Sequence, residues 1–309
     1  MSRYAHIRRR LRLECRDLIE LVLLPGLAAI LPWPLCFRLF RQLAHWRWLY
    51  RDVCERAVAE ARARGVVDDE ARWHWMRRLV TLVDHADYYL SRTRGDRWLA
   101  HHASVEGAWP PPERAAILCT FHWGAGMWGL RSLAHAGLRP HALVAPLDQA
   151  AFRGRTVLGG YARARTAEVT RVLGQNALDI STSLRPVIRA LRAGQQVLSV
   201  VDVPADHAAA SEPVTVMGMT ARIPRGLLRL AVDQRVPVAV YLTGFDAATG
   251  RRWLRIAQLG VAEDLPALID GVFAHLNTLM VQDPAAWHFW SEAPRFFTPV
   301  CSPSPSGVG

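Results

Sequence analysis

Residues 117–128 read Ile117-Leu118-Cys119-Thr120-Phe121-His122-Trp123-Gly124-Ala125-Gly126-Met127-Trp128, and they decide the fold. Ala115–Thr120 is short and apolar, as a strand buried on both faces must be. A glycine-rich turn follows, and a helix is expected to Ala136. A histidine at the end of such a strand, before small residues that open a helix, is well placed for chemistry. Strand ends in α/β sheets form crevices, and helix-starting amides can stabilise an oxyanion. Outward from this unit, His141–Ala145 is a second strand, and 150–173 and 183–193 are helices. Val197–Val201 is a third strand, ending at Asp202. Val214–Met217 is a weak strand, Gly226–Asp233 is helical and Val236–Thr243 is a strong strand. Trp253–Gln258 can pair with the last across the turn at 246–250, and a helix from Leu265 to about Val281 closes the fold. This alternation predicts an α/β fold with a central mixed, largely parallel sheet flanked by helices.

Residues 1–100 follow a different pattern. Arg3, Arg8, Arg9, Arg10 and Arg12 precede an apolar stretch, Leu18 to Phe37, whose one charge is Glu20. A spanning helix needs about 20 apolar residues, but Pro25, Pro32 and Pro34 interrupt this one and no small-residue cleavage site follows. The preferred expectation is a helical membrane-associating region in which 18–37 dips into one leaflet, with the arginines near anionic headgroups. A buried, proline-bent core segment and a complete span are the alternatives. Helical spacing recurs over 38–64 and 69–91, with Asp68 as the expected N-cap of the second. Trp46, Trp48, Trp73, Trp75 and Trp98 fit either a membrane interface or packing between helices. The expected organisation is thus an interfacial region 1–100, an α/β domain 101–300 and a disordered tail 301–309, the last being rich in Ser, Pro and Gly.

The chain of 309 residues carries a formal charge of +11, and every one of its 38 basic residues is arginine. Such a surface attracts anionic lipid, an acidic carrier or nucleic acid. No nucleic-acid motif accompanies the charge, so membrane or an acidic partner is the better reading. Cys15, Cys36, Cys54, Cys119 and Cys301 are odd in number and widely spaced, which reads as reduced residues facing the cytoplasm. His101, His102 and His207 lack partners at metal-ligand spacing, so no metal is assigned.

The stretch around His122 resembles the HFGNWE block of bacterial lipid A biosynthesis (lauroyl/myristoyl) acyltransferases, within the glycerolipid acyltransferase superfamily. Val144-Ala145-Pro146-Leu147 is similar to a YRPL-type segment, and Val200-Val201-Asp202 to a strand ending in Pro-Asp-Gln. The segment 221–226 resembles the approach to the next core helix. Val236–Val240 resembles an APVVPV strand, and 283–290 the HPEQWLWLHRRW ending. The resemblance runs from about Leu18 to Phe297 and rests on the order of the blocks. It implies His122 as general base on an acceptor hydroxyl, a carboxylate five positions on to orient the ring, and an acyl thioester donor on acyl carrier protein or coenzyme A, with no other cofactor. It also implies a location at the cytoplasmic face of the bacterial inner membrane.

The sequence departs from that block where it matters most. Met127 occupies the acid position, Ala125 and Gly126 replace polar or bulky residues, and Ala145 replaces the arginine of the YRPL-type segment. Three readings follow. Asp202, or second Asp148, supplies the acid, although Asp202 also suits an N-cap or turn before Pro204. Alternatively His122 acts alone on an easily deprotonated acceptor, or the chain binds acyl groups or carrier without catalysis. The expected function is transfer of a fatty or polyketide-type acyl chain from a carrier thioester to a hydroxyl or amine, with His122 and Asp202 catalytic. Gly124 is expected to widen the pocket. Arg153, Arg222 and Arg225 are the candidates for holding a phosphate of lipid or phosphopantetheine.

Overall fold

Helices come first and the sheet second in the computed structural model, which describes residues 3–144, 149–206 and 210–297. The N-terminal layer comprises α1 (Arg3–Asp17), a π-helical turn (Leu18–Leu23), α2 (Leu24–Ile30), α3 (Trp33–Leu43), α4 (Arg51–Ala63), α5 (Glu70–Thr93) and α6 (Asp96–His102). Strands and helices then alternate as β1 (Ala103–Glu106), β2 (Ala116–Thr120), α7 (Met127–His135), β3 (His141–Val144), α8 (Thr156–Leu173), β4 (Leu178–Asp179), α9 (Arg185–Arg192) and β5 (Gln196–Val200). A hairpin of β6 (Ser211–Val216) and β7 (Met219–Pro224) leads to α10 (Gly226–Asp233), β8 (Val238–Phe245), β9 (Arg252–Gly260), α11 (Leu265–Gln282) and the short α12 (Ala293–Phe296).

β2 is the middle strand of a seven-stranded sheet ordered β1-β9-β8-β2-β5-β3-β4. The five strands from β8 to β4 run parallel, while β9 turns back antiparallel to β8 and carries β1 beside it. Both faces are covered, which explains the unbroken apolar run of β2. Ile117 and Cys119 enter the core formed with α9, α10 and α11. Ala116 and Leu118 face the opposite core, formed with α7 and α8. The sheet expected from the sequence is therefore present.

Several boundaries are corrected. The expected helix over 38–64 is two helices, because the chain turns between Leu43 and Arg51, with Tyr50 at φ 51°. Asp69, rather than Asp68, caps α5 by accepting a bond from the Arg72 amide at 3.0 Å. The helix expected from 150 starts at Thr156. Met217 lies in a left-handed turn (φ 52°) instead of a strand, and 219–224 forms the second arm of a hairpin. Ala145, at the expected end of β3, lies outside the described residues.

In the N-terminal layer, Pro34 sits in the first turn of α3, where a missing amide hydrogen costs no helix bond, whereas Pro25 follows directly on the π-helical turn inside a helical run unbroken from Arg3 to Ile30. No helix among the described residues is long and apolar enough to cross a membrane. Trp33, Cys36, Phe37 and Phe40 of α3 are buried, as the core alternative required, while Leu18, Leu23, Ile30 and Leu35 remain exposed. Tyr4, Ile7 and Leu11 line an exposed face of α1, and Trp46 and Trp48 are exposed as well. Trp73 is buried, and Trp98 packs edge-on against Trp33 and Trp128.

The layer is pinned to the sheet at one turn. The Trp33 indole donates to the Gly250 carbonyl at 2.9 Å, and Gly250 (φ 73°) has the Phe37 ring where a Cβ would stand. Beside it, Arg252 of β9 is fully buried, bonds Asp87 of α5 through Nε at 3.1 Å, and lies 4.1 Å from the Trp33 ring centroid. Burial pushes Asp87 up to about 6, against the pull of the guanidinium. Arg252→Ala would strand this carboxylate, so a loss of about 3–5 kcal/mol in unfolding free energy is expected by urea denaturation. A loss below 1 kcal/mol would show that the pair does not hold the layer.

Candidate active site

β2 and β5 are parallel neighbours in register, with Thr120 opposite Val200, and the Val201 amide extends the pairing to the Thr120 carbonyl at 3.0 Å. His122 and Asp202, each two residues past its strand, therefore emerge side by side. The His122 amide donates to both Asp202 oxygens at 2.9 and 3.0 Å, and Nδ1 of its ring lies 3.1 Å from Oδ1. The Trp287 indole donates to Oδ2 at 2.8 Å. Asp202 is 1% exposed, whereas the His122 side chain is 32% exposed, with Phe289 against its ring at 4.1 Å. A carboxylate accepts, so this contact is satisfied by an Nδ1–H donor, and a neutral ring so protonated has its lone pair on Nε2.

His122 lines a cavity of about 470 Å³ with a mainly apolar wall that includes Met127, Leu130, Leu143, Val169 and Leu198. Asp84, Arg165 and His288 enter the same space, together with the hydroxyl side chains of Thr120, Thr166, Thr170 and Tyr241. Arg165 bonds Asp84 at 2.6 Å. Burial alone would raise Asp84, but this guanidinium holds the carboxyl well below the usual carboxylate range. Behind the pair, His85 meets the Tyr161 hydroxyl at 2.8 Å, and burial pushes His85 down to about 3.

The loop 122–126 is clamped by the C-terminal segment. The His288 amide donates to the His122 carbonyl at 2.7 Å, the Gly124 amide to the Ala286 carbonyl at 3.1 Å, and His288 Nε2 to the Gly124 carbonyl at 2.7 Å. Gly124 has φ 68°, and a Cβ there would stand 2.3 Å from the Thr243 carbonyl oxygen. Close approach of the loop to β8 thus requires the glycine, beyond any effect on pocket width. Gly124 and Gly126 do line the cavity. Ala125 points away into the N-terminal core.

Met127 is buried at the start of α7 and contributes to the cavity wall. Asp202, the first candidate for the missing acid, contacts the imidazole; Asp148, the second, lies outside the described residues, as does His207. Arg222 bonds Ser211 and Arg225 bonds Glu212 across the β6–β7 hairpin, and Arg153 is exposed. None of the three lines the cavity. Among the described residues, no three His, Cys, Asp or Glu side chains converge as a metal-binding group.

Sequence reasoning missed the roles of Trp287, His288 and Arg165. A buried indole needs an acceptor, the one signal that could have drawn attention to Trp287. Arg165 sits on α8 between Ala162 and Val169, which line the same cavity. No protein-family model and no curated protein matches the chain. The fold and site define an α/β protein with a carboxylate-oriented histidine opening on an apolar cavity.

Burial, reinforced by Arg77, pushes His288 down to about 4 from its ordinary 6.5. Between these values the unfolded chain binds a proton that the native site refuses, so this residue withdraws stability as pH falls from 6.5 towards 4. His288→Gln removes that dependence. Urea titrations should therefore show the stability difference moving in the variant's favour on acidification. A difference independent of pH would contradict the buried, neutral state.

Proposed function

We propose that the protein is an acyltransferase that moves a fatty or polyketide-type acyl chain from a carrier thioester to a hydroxyl or amine. The observation that carries this reading is the buried Asp202 carboxylate on Nδ1 of His122 at 3.1 Å. It supplies from β5 the orienting acid that Met127 cannot. His122 Nε2 then removes the proton from the acceptor as its oxygen or nitrogen attacks the thioester carbonyl. The tetrahedral oxyanion collapses, the C–S bond breaks, and the imidazolium returns the proton to the leaving thiolate. Asp202 stabilises the imidazolium between these steps.

The surroundings support the same chemistry. The cavity can take the apolar chain, and α7 starts at its wall with no side chain capping its first amides. Those amides suit a developing oxyanion. The arginines and exposed apolar residues of α1, with Leu23, Ile30, Trp46 and Trp48, support docking on an anionic membrane face, which we place at the cytoplasmic side. Acyl carrier protein or acyl-coenzyme A is the proposed donor. The resemblance of the His122 block to lipid A acyltransferases agrees with this chemistry but leaves the acceptor open.

The test is thiol release from long-chain acyl-coenzyme A with an alcohol or amine acceptor. His122→Ala should reduce transfer to background, and Asp202→Asn, measured on protein shown to be folded by circular dichroism, should lower kcat by about 10²–10⁴-fold. Saturable acyl binding with no turnover in the wild type, or full activity in His122→Ala, would instead favour an acyl-binding protein without catalysis.

A further inference from the structure

We infer that a second concave site, an arginine-lined cleft between the end of α5 and helices α7 and α8, binds a phosphate-bearing anion. The cleft has a volume of about 380 Å³ and draws together Arg92, Arg94, Arg131, Arg139 and Arg171, with His135 at its side. Their ion pairs among the described residues involve two carboxylates: Asp96 with Arg131, and Glu168 shared by Arg92 and Arg171. Five guanidinium groups against two carboxylates leave an excess of three positive charges in one concavity. Self-repulsion on that scale is costly without a counter-anion.

The cleft is also organised in advance. Arg131 is held by the Ser91 carbonyl at 2.6 Å and the Arg94 carbonyl at 3.3 Å. Arg94 is held by the carbonyls of Ala28 and Leu31 at 3.2 and 3.1 Å. Others keep donors in reserve. Arg139 uses only Nη1, on the carbonyls of Ala134 and Leu138, leaving Nε and Nη2 without a bond to the described residues. Arg92 is 52% exposed and reaches Glu168 only at 3.4 Å. Fixed guanidinium forks with spare donors match the several oxygens and double charge of a phosphate better than a single carboxylate does. The open concavity fits a small ligand or a headgroup.

This site is separate from the His122 cavity, although the same two helices wall both. Helix α7 gives Met127 and Leu130 to the cavity but Arg131 and His135 to the cleft. Helix α8 gives Val169 and Thr170 to the cavity but Arg171 to the cleft. An anion here would tie α5, α7 and α8 together without touching the dyad. Its occupancy therefore does not depend on the proposed acyl transfer.

The test is calorimetric titration of the full chain with inorganic pyrophosphate at constant ionic strength. Saturable binding is expected, unchanged in His122→Ala and about tenfold or more weaker in the double variant Arg92→Gln/Arg139→Gln. Arg92→Gln alone, at a largely solvated side chain, should weaken binding in the same direction and guards against a folding defect in the double variant. Competition by coenzyme A would identify a soluble phosphate source. Competition by phosphatidylcholine vesicles containing phosphatidate would identify a lipid one. Absence of saturable binding, or equal binding by the folded wild type and the folded arginine variants, would overturn the assignment.

Discussion

One buried carboxylate holds the site together. Asp202 accepts from the His122 amide, the His122 ring and the Trp287 indole, and so joins the ends of β2 and β5 to the C-terminal segment. Because Asp202 is almost fully buried these bonds gain strength, and losing one leaves a costly unpaired group. The register of two adjacent parallel strands brings the acid to the histidine from 80 residues away. Met127, five residues after His122, is part of the apolar wall. The acid that meets the imidazole thus comes from the neighbouring strand and not from the helix that follows the histidine.

The clamp on the His122 loop is in turn held from the N-terminal layer. Arg77 of α5 is buried and donates to the carbonyls of Ala285, Trp287 and His288 at 3.3, 2.7 and 3.1 Å. In this chain several buried or half-buried arginines serve as donors to backbone carbonyls in loops and in the last turns of helices. Arg77, Arg78, Arg94 and Arg131 all do so. Arg252 differs in meeting a carboxylate and the face of Trp33. The helical layer and the sheet are thereby linked through α5, and the geometry at His122 depends on both.

The sheet was legible because its strands are short apolar runs separated by glycine and proline, and the central run around Leu118 admits no amphipathic alternative. Asp202 was legible for a related reason: a carboxylate at the end of a strand must be explained. The edges were harder to read. β1 is mostly exposed, with only Ala103 half-buried, so it lacks the apolar signal of a strand. The β6–β7 hairpin hid behind Pro213 and Pro224, and its left-handed turn uses Met217 before Gly218. Pairings distant in the chain, such as Trp287 with Asp202 or Arg165 with Asp84, leave no local pattern at all. The arginines expected near a ligand were chosen by position, and the hairpin uses two of them for its own bonds.

The central claim is that Asp202 fixes the His122 proton on Nδ1 and leaves Nε2 as the base. Long-range ¹H–¹⁵N NMR of the histidine rings tests this directly. The account predicts that neutral His122 is the Nδ1–H form in the wild type and that the preference is lost in Asp202→Asn. A neutral ring protonated on Nε2 in the wild type would contradict it.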